Sequence, residues 1–317
     1  MHLPDGFLSP AIWIPAAAAS ALTVTFAWRR ATHGFNSASS AVTASHGFNS
    51  ASSAVTASLA AFVFAAQSLQ FPIPGGAAGH LLGGSLITIL AGAPRAIIAL
   101  SAVFTIQAFF FRDGGATALG ANILNGAIIP IGVTAAFSYL FRNVTLRKRA
   151  AVAGIASFLG ILCGAIACAV EVGASGTAPF LTFFGALLGA HVWIAAGEGF
   201  ITSQLVLLLY PKVSEWMQND PGAAQPRLIT NNRSTRPLWI CIFVVAAVAV
   251  AAEFLASRAP DGLEAAAMRA GLIHHNTETG ASAPSWAAAF LSMFGAGAAA
   301  LAVILIISFA RARKRSV

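Results

Sequence analysis

The sequence predicts an all-α, polytopic helical membrane protein, and three observations carry that reading. Of 317 residues, 57% are hydrophobic and only 9% charged, with a mean hydropathy of +0.78; soluble domains run near ~25% charged. The apolar residues gather into nine runs, most of them near the ~20 residues a helix needs to cross a bilayer. The basic residues sit in short clusters between those runs, as they do in the cytoplasmic loops of membrane proteins. The net charge of +8 is thus a topology signal and not a nucleic-acid surface.

Ser9-Pro10 reads as a helix start, with Ser as cap and Pro at the first helical position. The run to about residue 28 ends at Arg29-Arg30. A secretory signal carries its positive charge before the apolar run, and here it follows; the expectation is an uncleaved segment with its N-terminus outside. Residues 33–45 recur without change at 46–58, a polar, Ser-rich tandem copy in the expected first inner loop. His33 and His46 within it read as solvated loop residues.

The second run, about 54–71, ends at FPIPGGAAGH, residues 71–80. Two prolines and three glycines break any helix there, and irregular backbone at membrane depth persists only when buried in protein or lining a polar cavity. Runs at 80–94, 96–111, 117–141, 150–171 and 180–210 complete a seven-span unit at 1–211. A polar linker at 212–235 follows, and then a two-span unit at 236–317 with PDGLE, residues 260–264, between its spans. The three cysteines lie in apolar runs with no CxxC spacing, as buried small hydrophobes do. With the N-terminus outside and nine spans, 15 of the 18 basic residues fall inside, leaving Arg112, Arg258 and Arg269 outside. That assignment places residues 1–2 and His80 on the same outer side.

The chemistry concentrates in Met1-His2-Leu3-Pro4-Asp5-Gly6. The amine of Met1, the amide nitrogen of His2 and its Nδ1 can close a five- and a six-membered ring around one ion. Three nitrogens in a plane favour Ni(II) or Cu(II), and His80, at the end of the broken helix, is the candidate fourth. A histidine in a membrane segment is a candidate functional residue; the other reading of His80 is a His satisfied by a helix-end carbonyl. Asp5 is a candidate to orient the His2 ring, or it faces solvent. Gln67, Gln107, Asn122 and Asn125 are amides in apolar runs: interhelical bonds on one reading, props for the metal-binding loop or a ligand histidine on the other. His191 and Glu198, seven residues apart and so on one helix face, read as a metal site, a proton relay or a packed pair, with the supporting role favoured. His274-His275 read as a solvated pair.

MHLPDGFLSP at 1–10, FPIPGGAAGHLLGG at 71–84, ALGANILNG at 118–126 and HVWIAAGEGFIT at 191–202 closely resemble the M-type substrate-binding membrane subunits of energy-coupling factor nickel and cobalt transporters. The PDGLE unit resembles the small N-type partner of those transporters, fused to the same chain. The resemblance implies metal ligation by Met1, His2 and His80, in agreement with the chelate argument. It implies a capture subunit and not an enzyme, with no resident cofactor, carrying Ni(II) or Co(II) as cargo. It also implies a T-type membrane scaffold and two cytoplasmic ATPases as partners, in a bacterial inner membrane with the C-terminus cytoplasmic. The chain lacks a GxxxxGK[ST] phosphate loop, so ATP would be hydrolysed elsewhere. Planar nitrogen ligation and the fused PDGLE unit lean toward nickel. Two other readings are a self-contained metal/proton transporter or channel, with His191, Glu198 and Glu171 as the proton path, and an intramembrane metalloenzyme, for which no catalytic motif is present.

Overall fold

A computed structural model describes residues 2–32, 50–218 and 259–273. The described chain is a helical bundle with one short hairpin. Helix α1, Pro10–Thr32, carries Pro15 within it and has Arg29 and Arg30 in its last turn. Helix α2, Ser50–Gln67, begins inside the second copy of the duplicated segment. Strands β1, Phe71–Ile73, and β2, Ala77–Gly79, pair antiparallel, with Phe71 opposite Gly79. The hairpin turns on Gly75 and Gly76, both at positive φ, the conformation for which glycine lacks the steric cost.

Beyond it come α3, Gly84–Ala91, and α4, Ala93–Ile106, the latter continued by a π-helical stretch, Gln107–Phe111. Helix α5, Leu119–Ile123, runs through a second π-helical stretch, Leu124–Ile128, into α6, Ile129–Leu140. Helices α7, Leu146–Ala174, and α8, Phe180–Gln218, follow. The last described element is α9, Gly262–Arg269. Each π-helical stretch, a local insertion often found at functional positions, holds one of the buried amides, Gln107 and Asn125.

Five helices among the described residues are long and apolar enough to cross a membrane, and Val55–Gln67 is a shorter apolar helix. The protein is therefore a multi-pass membrane protein of all-α class. One segment departs from the expectation of a full span. The run at 80–94 yields only the eight-residue α3, about 12 Å long, against a hydrocarbon core of about 30 Å. Gly83 at positive φ starts it and Gly92 at positive φ ends it, so glycine punctuation overrides apolar length. A Cβ on Gly83 would lie 2.3 Å from Val63 Cγ2, which fixes this backbone closely against α2.

Two apolar clusters make the core. One joins α2, α3, α4 and α6 around Val63, Leu86, Leu100, Phe104 and Ile131. The other joins α7, α8, the hairpin and α9 through Phe71, Ile73, Phe183, Leu187, Leu263 and Ala266. Leu3 is buried in this second cluster, so the start of the chain is part of the packed body. Helix α8 continues through Pro211 to Gln218, across the boundary expected at 211, so the linker expected at 212–235 starts within a helix; its remainder lies outside the described residues, as do His33, His46, His274, His275, Cys241 and the two spans expected at 236–257 and 285–309. Of the remaining cysteines, Cys168 is buried and Cys163 exposed.

Candidate metal centre

The N-terminal segment is held at one end of the bundle by backbone and side-chain bonds along its length. The Leu3 amide donates to Asn122 Oδ1 at 2.7 Å, and Asn122 Nδ2 donates back to the Leu3 carbonyl at 3.1 Å. The Gly115 amide donates to that same carbonyl at 2.8 Å. Gly6 turns the chain at φ 86°; beyond it Thr177 Oγ1 donates to the Phe7 carbonyl and the Ser9 amide donates to Ser175 Oγ. The loop after α4 is moulded on this segment. A Cβ at Gly114 would stand 3.3 Å from His2 Cβ, and one at Gly115 would stand 2.3 Å from the Asp5 amide nitrogen.

This anchoring buries His2, and its ring lies parallel to that of His80, with centres 5.6 Å apart and planes within 8°. Phe104 packs edge-on to His2, with ring centres 5.0 Å apart. His2 Nε2 is buried with no hydrogen-bond partner, while Nδ1 lies 2.9 Å from Asp113 Oδ1. Met1 lies outside the described residues.

His80 is held from behind. The two residues after Leu81 present their amides to one buried carboxylate: Leu82 donates to Glu198 Oε2 at 2.6 Å and Gly83 to Oε1 at 2.9 Å. On the other side, Gln67 Nε2 donates to the Leu82 carbonyl, and Gln107 Nε2 donates to Gln67 Oε1. Helices α2 and α8 thus grip the loop that carries His80, and Gln107 of the π-helical stretch after α4 braces Gln67.

The remaining candidates are placed elsewhere. Asp5 does not orient the His2 ring: its carboxylate accepts from the Thr117 amide and hydroxyl, bonds that hold it below the usual carboxylate range. The carboxylate at His2 is Asp113, in the loop between Phe111 and Leu119. Its signal was there, an acidic residue followed by Gly114-Gly115 between two apolar runs. Burial acts to raise the Asp113 carboxyl, but the hydrogen bond from His2 and the charges of His2 and His80 prevail and hold it at about 2. Asn125 shares a face with Asn122 in sequence, yet it donates to Glu171 on α7. His191 donates Nδ1 to the Leu187 carbonyl of its own helix. A Cβ on Gly262 would stand 3.1 Å from His191 Cε1, so His191 lies under the PDGLE segment and not beside His2.

That segment is docked on the hairpin. The Ala78 amide donates to the Pro260 carbonyl at 2.7 Å, and Arg269 Nη2 donates to the Gly75 carbonyl at 2.8 Å. Asp261 caps α9 by accepting from the Glu264 amide, while the Glu264 side chain reaches back to the Asp261 amide, the reciprocal arrangement that satisfies two helix-end donors.

The comparisons with known proteins decide the family. The model of CbiM, the cobalt uptake substrate-specific transmembrane region, matches residues 2–216.

The chain belongs to the CbiM family.

A curated relative of the same family character, the fused nickel transport protein NikMN of Rhodobacter capsulatus, is 35% identical over 55% of this chain and 47% of its own length. The cobalt transport protein CbiM of Acetoanaerobium sticklandii is 28% identical over 69% of this chain and 86% of its own. The crystal structure of a truncated transition metal transporter superposes with a TM-score of 0.55 at 29% identity, covering 67% of this chain and 99% of that one. The family match ends near the close of α8, and the chain continues beyond it to the PDGLE segment and Val317. In this CbiM-family protein an M-type unit is fused to another unit.

Proposed function

We propose that this chain is the metal-capture subunit of an ATP-driven energy-coupling factor importer, and that it binds Ni(II), or Co(II), through four nitrogens. Three would come from the chain's own start: the Met1 amine, the His2 amide and His2 Nδ1. The fourth would come from His80. The observation that carries this reading is the parallel pair of buried rings, His2 and His80, drawn from positions 78 residues apart in sequence. A buried imidazole pair with an unpartnered nitrogen is costly to maintain unless something uses it. Two imidazoles supply too few donors for a tight site, and the sequence offers the His2 amide and the Met1 amine as further ones. Planar ligation by four nitrogens would suit nickel best. In this reading the N-terminus and the PDGLE segment face the outside, and the complex sits in the bacterial inner membrane. A T-type scaffold and two ATPases would supply the energy for release.

The metal/proton transporter reading needs a connected proton path. Glu198 is committed to the Leu82 and Gly83 amides, Glu171 to Asn125 and His191 to Leu187. These separate attachments favour the capture role. The test is nickel uptake into liposomes. The purified chain alone should give none, and adding the scaffold and ATPase subunits with ATP should give uptake. ATP-independent uptake by the chain alone would overturn the proposal.

A further inference from the structure

We propose that Asp113 is a positioning residue for metal capture: it holds the His2 ring by Nδ1 while the site is free and balances the charge of the ion once Nδ1 is given up. This rests on the reading that His2 Nδ1 is a ligand. The geometry is specific to that nitrogen. The Asp113 carboxylate is 2.9 Å from Nδ1, the only ring nitrogen from which a chelate with the His2 amide can close a six-membered ring. A carboxylate accepts, so Nδ1 carries a hydrogen in this state.

The carboxylate is well placed for the exchange. Its side chain is 51% exposed and that of His2 only 4%, so it joins solvent to the buried ring. The loop that carries it is fixed at both ends. Its amide donates to the Gln107 carbonyl, and two residues on, the Gly115 amide donates to the Leu3 carbonyl. Arg112 takes positive φ, at 56°, to aim the loop. A cation approaching from solvent meets this anion before it meets the nitrogens. On capture the Nδ1–H···O hydrogen bond breaks and the nitrogen–metal bond forms. The hydrogens displaced from Nδ1, from the His2 amide and from the terminal ammonium pass to solvent, and in the complex the ring carries its one hydrogen on Nε2, so the imidazole there is neutral. A divalent ion bound to one deprotonated amide and three neutral nitrogens keeps one positive charge, which the freed carboxylate offsets. Partners one step outside a metal's ligands typically change affinity roughly 10–100-fold.

The test compares Ni(II) binding by the full-length wild type, Asp113→Asn and Asp113→Glu, at two ionic strengths, by titration and by stopped flow. Asp113→Asn should lower affinity at least about tenfold. It should also slow association and flatten its salt dependence, because the steering charge is gone; Asp113→Glu should keep the salt dependence. Unchanged affinity, rate and salt dependence in Asp113→Asn would overturn the proposal. A variant-free measurement stands beside it. In the metal-free wild type, nitrogen NMR of labelled histidine should find His2 protonated at Nδ1, and a His2 protonated only at Nε2 would contradict the hold. A chain with one residue added before Met1, titrated in parallel, separates the two claims. If that addition abolishes tight binding while Asp113→Asn is silent, only the inference about Asp113 fails. If the extended chain binds as well as wild type, the chelate reading itself fails.

Discussion

The imidazole of His80 lies parallel to that of His2, with ring centres 5.6 Å apart, although one belongs to the chain's second residue and the other to the loop before α3. If both rings serve one ion, replacing His80 removes one of its ligands. His80→Ala should weaken nickel binding by about 100-fold, or roughly 2.7 kcal/mol. His33→Ala and His46→Ala should leave it unchanged. Calorimetric titration of the full-length protein reads all three.

Glu198 supplies the second prediction. Its two oxygens accept the Leu82 and Gly83 amides, and an uncharged Gln offers only one acceptor for two buried donors. A buried donor left without a partner costs about 1–3 kcal/mol. Glu198→Gln should therefore lower the thermal midpoint and reduce nickel affinity about tenfold, since the loop it steadies carries His80. Gln67→Ala should act in the same direction, because it frees the Leu82 carbonyl and strands Gln107.

Asn122 tests the anchoring of the N-terminal segment. It bonds both the amide and the carbonyl of Leu3. Asn122→Ala should release the segment, seen as faster hydrogen exchange at the Leu3 amide and an affinity loss of roughly tenfold or more. Exchange at α7 amides should not change.

A steric prediction follows from Gly115. Its missing Cβ leaves room for the Asp5 backbone, and an added methyl would approach the Asp5 nitrogen to 2.3 Å. Gly115→Ala should push the N-terminal segment out of its seat and abolish tight binding while the bundle stays folded. Gly132→Ala, where a Cβ meets nothing within 4 Å on α6, should bind metal normally. It should also be stabilised by up to about 1 kcal/mol. Circular dichroism and titration together separate the two cases.

The helical class was readable from composition, because a chain this poor in charge has few soluble alternatives. The length of α3 was less so: hydropathy counts residues 80–94 as one run, and only Gly83 and Gly92, where the backbone turns left-handed, cut it short. The buried amides were recognisable as unusual, but sequence cannot say which partner each finds. Asn122 and Asn125 lie three residues apart, yet one reaches Leu3 and the other Glu171. The sequence offers Asp5 as a partner for the His2 ring or as a solvent-facing residue, and Asp113 only as part of a loop between spans. The fold reverses this, since Thr117 captures Asp5 and the loop after α4 delivers Asp113.

The most direct measurement is nickel titration of the full-length protein beside a version with a single residue placed ahead of Met1. The addition leaves every side chain in place but moves the free amine one peptide unit away from the His2 amide and ring. High-affinity binding should disappear while the protein remains folded. Equal affinity in the two proteins would contradict the chelate.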